Sequence, residues 1–149
     1  MSATADSSFI VALYLNEPDS TRADAACSSV APPLLLTDWH RVEIANAFQR
    51  AVKTARITAA QAKQLWHEFN ADIEAGRFEI IHADHAAILE RTLTLTEKHT
   101  ATLGTRSLDL IHVATALEIQ AADFLSFDDR QRKAAEAEAL NVMPRNQTL

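Results

Sequence analysis

Four acidic residues carry most of the chemistry that this sequence offers. They are Asp6, Glu43, Asp109 and Asp128. Each lies close to the predicted end of a strand, and in an open parallel sheet ligands bind in the crevice beyond the carboxyl ends of the strands. Most of them have aliphatic neighbours, so several of the carboxylates should be partly desolvated. A desolvated carboxylate must be neutralised by a proton or by a cation, and the spacing therefore predicts a shared site for one or the other.

Three of the four acids also have a purely structural explanation. Asp109, near the start of an apolar helix, is stabilised there by the helix dipole. Asp6 and Asp128 can each cap the helix that follows. Glu43 gains nothing obvious from capping, because it lies inside an otherwise apolar helix. The placement of all four at one crevice favours a shared role over four separate ones.

The elements that would position these acids alternate between short strands and helices. Predicted strands cover residues 3–6, 32–37, 78–82, 124–127 and 140–144, and predicted helices cover 8–16, 20–30, 38–54, 58–76, 86–99, a segment from 107, and 129–140. In helix 38–54, Val42, Ala45, Phe48 and Val52 lie near one face. Strands separated by long helices imply right-handed crossovers and a parallel sheet. We expect an α/β fold, an α/β/α sandwich with a short, mostly parallel central sheet, in a single domain over residues 1–149.

Composition excludes several classes of protein. The chain has 149 residues, 48% of them hydrophobic and 23% charged, which is typical of a globular domain. Its one cysteine, Cys27, rules out a CxxC metal or redox motif. Its two glycines, Gly76 and Gly104, are too few for a Walker or dinucleotide-binding loop, and each is placed to end a helix.

The net charge of the chain bears on nucleic-acid binding, and its N-terminal residues bear on its location in the cell. The net charge of −6 argues against binding nucleic acid by bulk electrostatics alone. It does not argue against a nuclease, since a bound metal reverses the local effect of clustered acids. The stretch "MSATADSSF" lacks a basic region followed by an apolar one, and no run is long enough to span a bilayer, so we expect a cytoplasmic protein without a membrane partner.

The chain resembles the PIN domain family, and within it the VapC-like toxins of bacterial toxin–antitoxin pairs. The resemblance is carried by "DSSFIVALYLNEP", "VEIANAFQRAVKTARIT" and, most specifically, "RSLDLIHVATALEIQAADFLSFDDRQRKAA". By position it implies that the acidic residues of the family are Asp6, Glu43, Asp109 and Asp128. Ser126 stands where the family has Thr or Ser before its last acid, and strand parity predicts that it points the same way as Asp128. Asp129 replaces Asp128 if the strand register is off by one.

This resemblance implies an endoribonuclease dependent on Mg²⁺ or Mn²⁺. Magnesium takes oxygen ligands, commonly one or two carboxylates with waters and substrate phosphate. A bound metal lowers the pKa of water and stabilises the charge that develops on phosphorus. We assign Asp6, Asp109 and Asp128 to direct or water-mediated metal binding, and Glu43 to metal binding or to positioning the attacking water. One metal or two remains open.

The resemblance also implies partners. A cognate antitoxin should lay an apolar segment between the early helices and place an Arg or Lys among the four carboxylates. A homodimer is expected as well. The Ala, Leu and Trp residues of helices 38–54 and 58–76 are candidates for its interface, and core packing explains them equally well.

Basic residues could contact RNA phosphates. Arg50, Lys53 and Arg56 recur every three residues, and Arg41 and Arg106 are further candidates. Two histidines, His82 and His85, are spaced as helical metal ligands can be, but no third ligand is near them in the sequence.

Two other functions fit the same residues. One is a non-catalytic PIN-like binding module whose acids are only helix caps, and the other is a DNA nuclease or a phosphatase that uses the same metal cluster. Nothing in the sequence names the RNA that would be cleaved.

Overall fold

The computed structural model describes residues 1–146, which are built around a five-stranded parallel sheet. The strands are β1 (Ala3–Ala5), β2 (Leu34–Leu36), β3 (Phe78–Ile80), β4 (Asp123–Leu125) and β5 (Asn141–Met143). Their order is β3-β2-β1-β4-β5, and every neighbouring pair is parallel. Helices flank the sheet, which confirms the predicted α/β/α sandwich. Residues 147–149 of the predicted domain lie outside the described part.

Helices connect the strands in the expected alternation. They are α1 (Ser7–Ala12), α2 (Ser20–Ser28), α3 (Asp38–Lys53), α4 (Ala59–Glu74), α5 (His85–Leu95), a π-helical turn (Thr96–Thr100), α6 (Ala101–Leu103), α7 (Ser107–Glu118) and α8 (Asp129–Ala137). Among residues 1–146 no helix combines the length and the apolar character that a membrane span requires.

Two apolar clusters lie on opposite faces of the sheet. Phe124 and Leu125 are adjacent on β4 and fully buried, yet they belong to different clusters, as the alternation of a strand requires. One cluster packs α1, α3 and α4 against the sheet, with Phe48 and Phe69 among its largest members. The other packs α5, α7 and α8 against it.

The strand order creates a crevice beside β1. From β1 the chain passes to β2 on one side, while β4 pairs with β1 on the other side. Ligand sites of open parallel sheets lie where the order reverses in this way, outside the carboxyl ends of the strands. The residues that follow β1, β2 and β4 therefore face a common space.

The strand before Asp128 is shorter than predicted. β4 ends at Leu125, so Ser126 and Asp128 do not lie on the strand, and strand parity does not apply to them. Ser126 and Asp128 are instead linked by a hydrogen bond, which the backbone N–H of Asp128 donates to Ser126 Oγ at 3.1 Å.

The buried face of α3 also differs from the predicted one. Val42 is 59% exposed, whereas the buried side chains on this helix are His40, Ile44, Phe48 and Ala51. The apolar pattern placed Val42 with Phe48, but the buried stripe begins with a histidine, which hydropathy does not select.

Helix ends fall close to the predicted positions. Gly76 and Gly104 have φ angles of 80° and 66°, as expected where a helix ends in the left-handed region. The predicted helix 86–99 is divided into α5 and the π-helical turn. α7 begins at Ser107, the predicted start of that helix, and Arg106 is its N-cap.

Candidate active site

A cavity of about 510 Å³ holds all four of the predicted acids. It lies at the residues that follow β1, β2 and β4. Its lining comprises Asp6, Ser7, Ser8, Glu43, Arg50, Arg106, Ser107, Leu108, Asp109, His112, Asp128 and Gln131. The acids come from four elements far apart in sequence, so only the fold brings them together.

Asp6 is the most deeply buried of the four, at 1% exposure. It caps α1, with Oδ1 accepting from the backbone N–H of Phe9 at 2.7 Å and from Ser8 Oγ at 2.9 Å. Its other oxygen, Oδ2, accepts from Ser126 Oγ at 2.6 Å. Burial raises the pKa of Asp6 above its usual range, although His112 and these hydrogen bonds act in the opposite direction. Asp6 is therefore the N-cap of α1, but its hydrogen bonds do not fully offset the cost of burying a charged carboxylate.

Glu43 is held by two neighbours across the cavity. Its Oε1 accepts from Ser7 Oγ at 2.9 Å and from His112 Nε2 at 2.7 Å. The carboxylate oxygen is the acceptor, which assigns the His112 proton to Nε2. These contacts link α1, α3 and α7, and they hold the Glu43 carboxylate at the cavity wall.

Asp109 is 5% exposed and is bound by Arg106. Its Oδ2 accepts from the backbone N–H of Arg106 at 3.1 Å and from Arg106 Nε at 3.2 Å. Its Oδ1 accepts from Gln131 Nε2 at 3.2 Å. Asp109 thus lies in the first turn of α7, where the helix dipole stabilises it as predicted, and it also forms an ion pair with Arg106 and a hydrogen bond with Gln131 of α8.

Asp128 caps α8 and lines the cavity, whereas Asp129 does not line it. Asp128 Oδ1 accepts from the backbone N–H of Gln131 at 2.8 Å. Asp129 is 74% exposed at its side chain and pairs with Lys133 at 2.8 Å. The geometry favours Asp128 over Asp129 as the fourth acid.

Two of the five predicted phosphate contacts lie on the cavity and three do not. Arg50 and Arg106 belong to its lining. Arg41 pairs with Asp38 at 3.4 Å, and Lys53 is exposed at the end of α3. Arg56 pairs with Glu17 at 3.3 Å.

Three further polar residues support the acids, and sequence reasoning assigned none of them a role at the site. Ser7 and His112 hold Glu43, and Gln131 contacts both Asp109 and Asp128. The sequence positions of two of them indicate that they lie near an acid, since His112 follows Asp109 by one helical turn and Gln131 follows Asp128 by three residues. The histidines considered as metal ligands, His82 and His85, are exposed.

The donors at this cavity suit a hard divalent cation. They are carboxylate, hydroxyl and amide oxygens, the ligand types that Mg²⁺ prefers. In residues 1–146, however, no three His, Cys, Asp or Glu side chains stand close enough to hold an ion directly between them. Mg²⁺ commonly takes one or two carboxylates and keeps several waters. The residues therefore fit a partly hydrated ion better than a fully enclosed one.

Comparisons with known proteins agree with this fold. The crystal structure of FitAcB from Neisseria gonorrhoeae is similar, with a TM-score of 0.64 and 17% identity over 95% of this chain and 96% of that chain. No curated protein sequence is significantly similar to the chain. The family model of the PIN domain matches residues 3–137, which include all four acids. This chain belongs to the PIN domain family.

Proposed function

We propose that this protein is a metal-dependent endoribonuclease that acts as the toxin of a toxin–antitoxin pair. PIN domains are in general divalent-metal-dependent nucleases. The observation that carries the proposal is the convergence of Asp6, Glu43, Asp109 and Asp128 on one cavity that also holds Arg50 and Arg106. Acids and cations at one opening suit a phosphodiester, whose charge must be neutralised while the ester bond is broken.

The acids would hold Mg²⁺ or Mn²⁺. When bound, such an ion supplies a water of lowered pKa and neutralises charge on the phosphate. Asp6, Asp109 and Asp128 are the proposed ligands, direct or through water. Glu43, fixed by Ser7 and His112, either joins them or orients the attacking water.

The two arginines would bind and orient the substrate. Arg106 uses Nε and one terminal nitrogen on Asp109, and the remaining guanidinium donors are available to a phosphate oxygen. Its side chain is 70% exposed, so a strand of RNA could reach it. Arg50 lies on the same lining and supplies a second cation.

The experiment that tests the activity compares substrates with and without metal. Purified protein would be given structured RNA, single-stranded DNA, duplex DNA and a small phosphoester, each with Mg²⁺, with Mn²⁺ or with EDTA. We expect cleavage of RNA alone, and only with metal. Cleavage of DNA or of the phosphoester at a comparable rate would support the alternative nuclease or phosphatase, and no cleavage at all would support a non-catalytic module.

A cognate antitoxin is the first proposed partner. An Arg or Lys from its tail would form charge-assisted hydrogen bonds with the carboxylates, and these bonds are stronger in a partly dry cavity than on a surface. An apolar segment of the tail would lie between the early helices. Co-purification with the product of the neighbouring small reading frame, followed by an RNA cleavage assay, tests this partner. A complex that cleaves as fast as the free protein would contradict it.

A second copy of the chain is the other proposed partner. Apart from Met1, every exposed large hydrophobic residue of the described chain lies on α3, α5 or α7. We call these residues the apolar face: Trp39, Val42, Leu89, Leu93 and Leu108. Three of them, Trp39, Val42 and Leu89, line one groove, and clustered apolar exposure is typical of protein interfaces. We therefore propose a homodimer through this face, and not through α4, whose Trp66 packs against the core.

A further inference from the structure

Gln131 connects two of the four acids. It lies in the first turn of α8 and is 4% exposed. Its backbone N–H donates to Asp128 Oδ1 at 2.8 Å, and its side-chain Nε2 donates to Asp109 Oδ1 at 3.2 Å. Because it also lines the cavity, its side chain is part of the wall that the acids share.

The other end of the Gln131 amide is unsatisfied. Within residues 1–146 its Oε1 is buried and has no hydrogen-bond partner. A buried polar atom without a partner destabilises the folded protein. The amide cannot gain by turning over, because Oε1 would then face the Asp109 carboxylate, which also only accepts.

The usual structural role of a glutamine at this position is already taken. A Gln at the third position of a helix commonly accepts from the backbone N–H of the N-cap residue. Gln61 does so in α4, where its Oε1 accepts from the backbone N–H of Thr58 at 2.8 Å. In α8 the equivalent N–H, that of Asp128, donates to Ser126 Oγ. The Gln131 oxygen is thus left without a partner, at a side chain that lines the cavity.

We propose that Gln131 Oε1 accepts a hydrogen bond from a water in this cavity and holds that water beside Asp109 and Asp128 for attack on the substrate phosphate. The inference rests on the proposed hydrolytic function and assigns Gln131 a positioning role in it. In the hydrolysis, the water oxygen bonds to phosphorus, and the bond from phosphorus to the leaving ester oxygen breaks with its electron pair. One water proton ends on that leaving oxygen. The amide is too weak a base to take this proton, so it orients the water and does not accept the proton.

The test compares Gln131→Met with Gln131→Glu, using Gln61→Met as the matched control. Gln131→Met keeps the length of the side chain but removes both hydrogen-bonding ends. Gln131→Glu, protonated beside the Asp109 carboxylate, keeps both an acceptor and a donor to Asp109. For the full chain, three quantities are measured: the melting temperature without metal, the Mn²⁺ affinity by calorimetry, and kcat and KM on RNA.

Opposite patterns are expected for the two glutamines. Gln61→Met should lower the melting temperature by about 2–4 °C, since it loses a capping contact, and should leave Mn²⁺ affinity and kcat within about twofold. Gln131→Met should lower the melting temperature less than Gln61→Met does, because removal of the unsatisfied Oε1 offsets the loss of the Nε2 hydrogen bond to Asp109. It should lower both kcat and Mn²⁺ affinity by about 10-fold with little change in KM, as loss of a group behind a metal site does. Gln131→Glu should retain more of kcat than Gln131→Met does.

Either of two results would overturn the inference. One is that Gln131→Met behaves like Gln61→Met, and the other is that Gln131→Glu loses as much kcat as Gln131→Met. If the parent protein cleaves no RNA, the proposed function fails on its own. The Mn²⁺ titration then decides whether Gln131 has the inferred role. Weaker Mn²⁺ binding by Gln131→Met, with a smaller loss of melting temperature than in Gln61→Met, upholds the role of the amide, and unchanged Mn²⁺ binding removes it.

Discussion

Asp6 serves two purposes that conflict energetically. As an N-cap it satisfies backbone and hydroxyl donors, yet its burial raises its pKa, so the ionised form is disfavoured in the folded protein. A cation in the cavity would relieve this cost, whereas a cap needs no charge at all. A substitution that removes the charge of Asp6 but keeps the shape of its side chain can therefore separate the capping role from the charged role.

Asp6→Asn should stabilise the metal-free protein at neutral pH. The raised pKa means that the carboxylate destabilises the fold above that pKa, and that this cost disappears as the pH falls through it. Removing the charge should raise the free energy of unfolding by about 1 kcal/mol, or the melting temperature by about 2–4 °C. Thermal unfolding in EDTA measures this change. Asp109→Asn is the comparison, and it should gain less because Asp109 is already paired with Arg106. A lower melting temperature for Asp6→Asn would mean that capping outweighs the buried charge.

Asp128 and Asp129 form a natural matched pair for activity. Asp128→Asn should lower metal-dependent RNA cleavage by at least about 100-fold, the upper end of what loss of an outer-shell group costs. Asp129→Asn should leave cleavage within about twofold, since its side chain is exposed and paired with Lys133. Initial cleavage rates at saturating Mg²⁺ measure both. If the two effects were reversed, Asp129 and not Asp128 would be the fourth acid.

α3 is joined to the sheet by a buried histidine. The backbone N–H of Thr37 donates to His40 Nδ1 at 3.0 Å, and His40 Nε2 donates to the carbonyl of Ala5 at 2.8 Å. Both ring nitrogens are used by the neutral form, and the ring packs 4.8 Å from that of His112. His40 therefore positions the start of the helix that carries Glu43.

Stability should fall in acid because of His40. Burial, with a smaller effect of His112, lowers the pKa of His40 to about 3 from its usual 6.5. The unfolded chain therefore takes up a proton first, and the contribution of His40 is present above pH 6.5 and is lost as the pH falls toward 3. Between pH 7.5 and pH 5 the loss should be about 2 kcal/mol.

Urea unfolding at the two pH values measures this loss. His40→Gln should reduce the pH dependence by that amount, while His85→Gln, at an exposed site on α5, should keep it. An unchanged pH dependence in His40→Gln would show that His40 is not the group responsible.

Sequence predicted these elements better than it predicted their details. Alternating apolar runs and turn residues located all five strands, because they reflect local periodicity. The buried face of α3 was misplaced because His40 is buried through hydrogen bonds to other elements, which hydropathy cannot register. The contact of Ser7 was not foreseen because its partner, Glu43, is distant in the chain. That of Gln131 was not foreseen because Ser126 accepts from the backbone N–H that a glutamine at this position usually binds.

For the molecule as a whole, the apolar face predicts how two copies associate. Leu93→Lys replaces one of the five residues of this face with a charge, and it should convert a dimer to a monomer. Ala60→Lys on α4 is the control, because Ala60 is exposed but lies outside that face. Sedimentation velocity at several concentrations distinguishes the two outcomes. Dissociation by Ala60→Lys but not by Leu93→Lys would place the interface on α4.

Metal-dependent cleavage of RNA by the parent protein and by Asp109→Asn tests the central claim most directly. Asp109 comes from α7, while Asp6, Glu43 and Asp128 come from other elements, so its loss reports on a site that exists only if the acids act together. We predict that the parent protein cleaves RNA in Mg²⁺ or Mn²⁺ and not in EDTA, and that Asp109→Asn is folded but at least about 100-fold slower. Equal cleavage by both proteins, or cleavage that persists in EDTA, would contradict a metal-dependent site built from these four carboxylates.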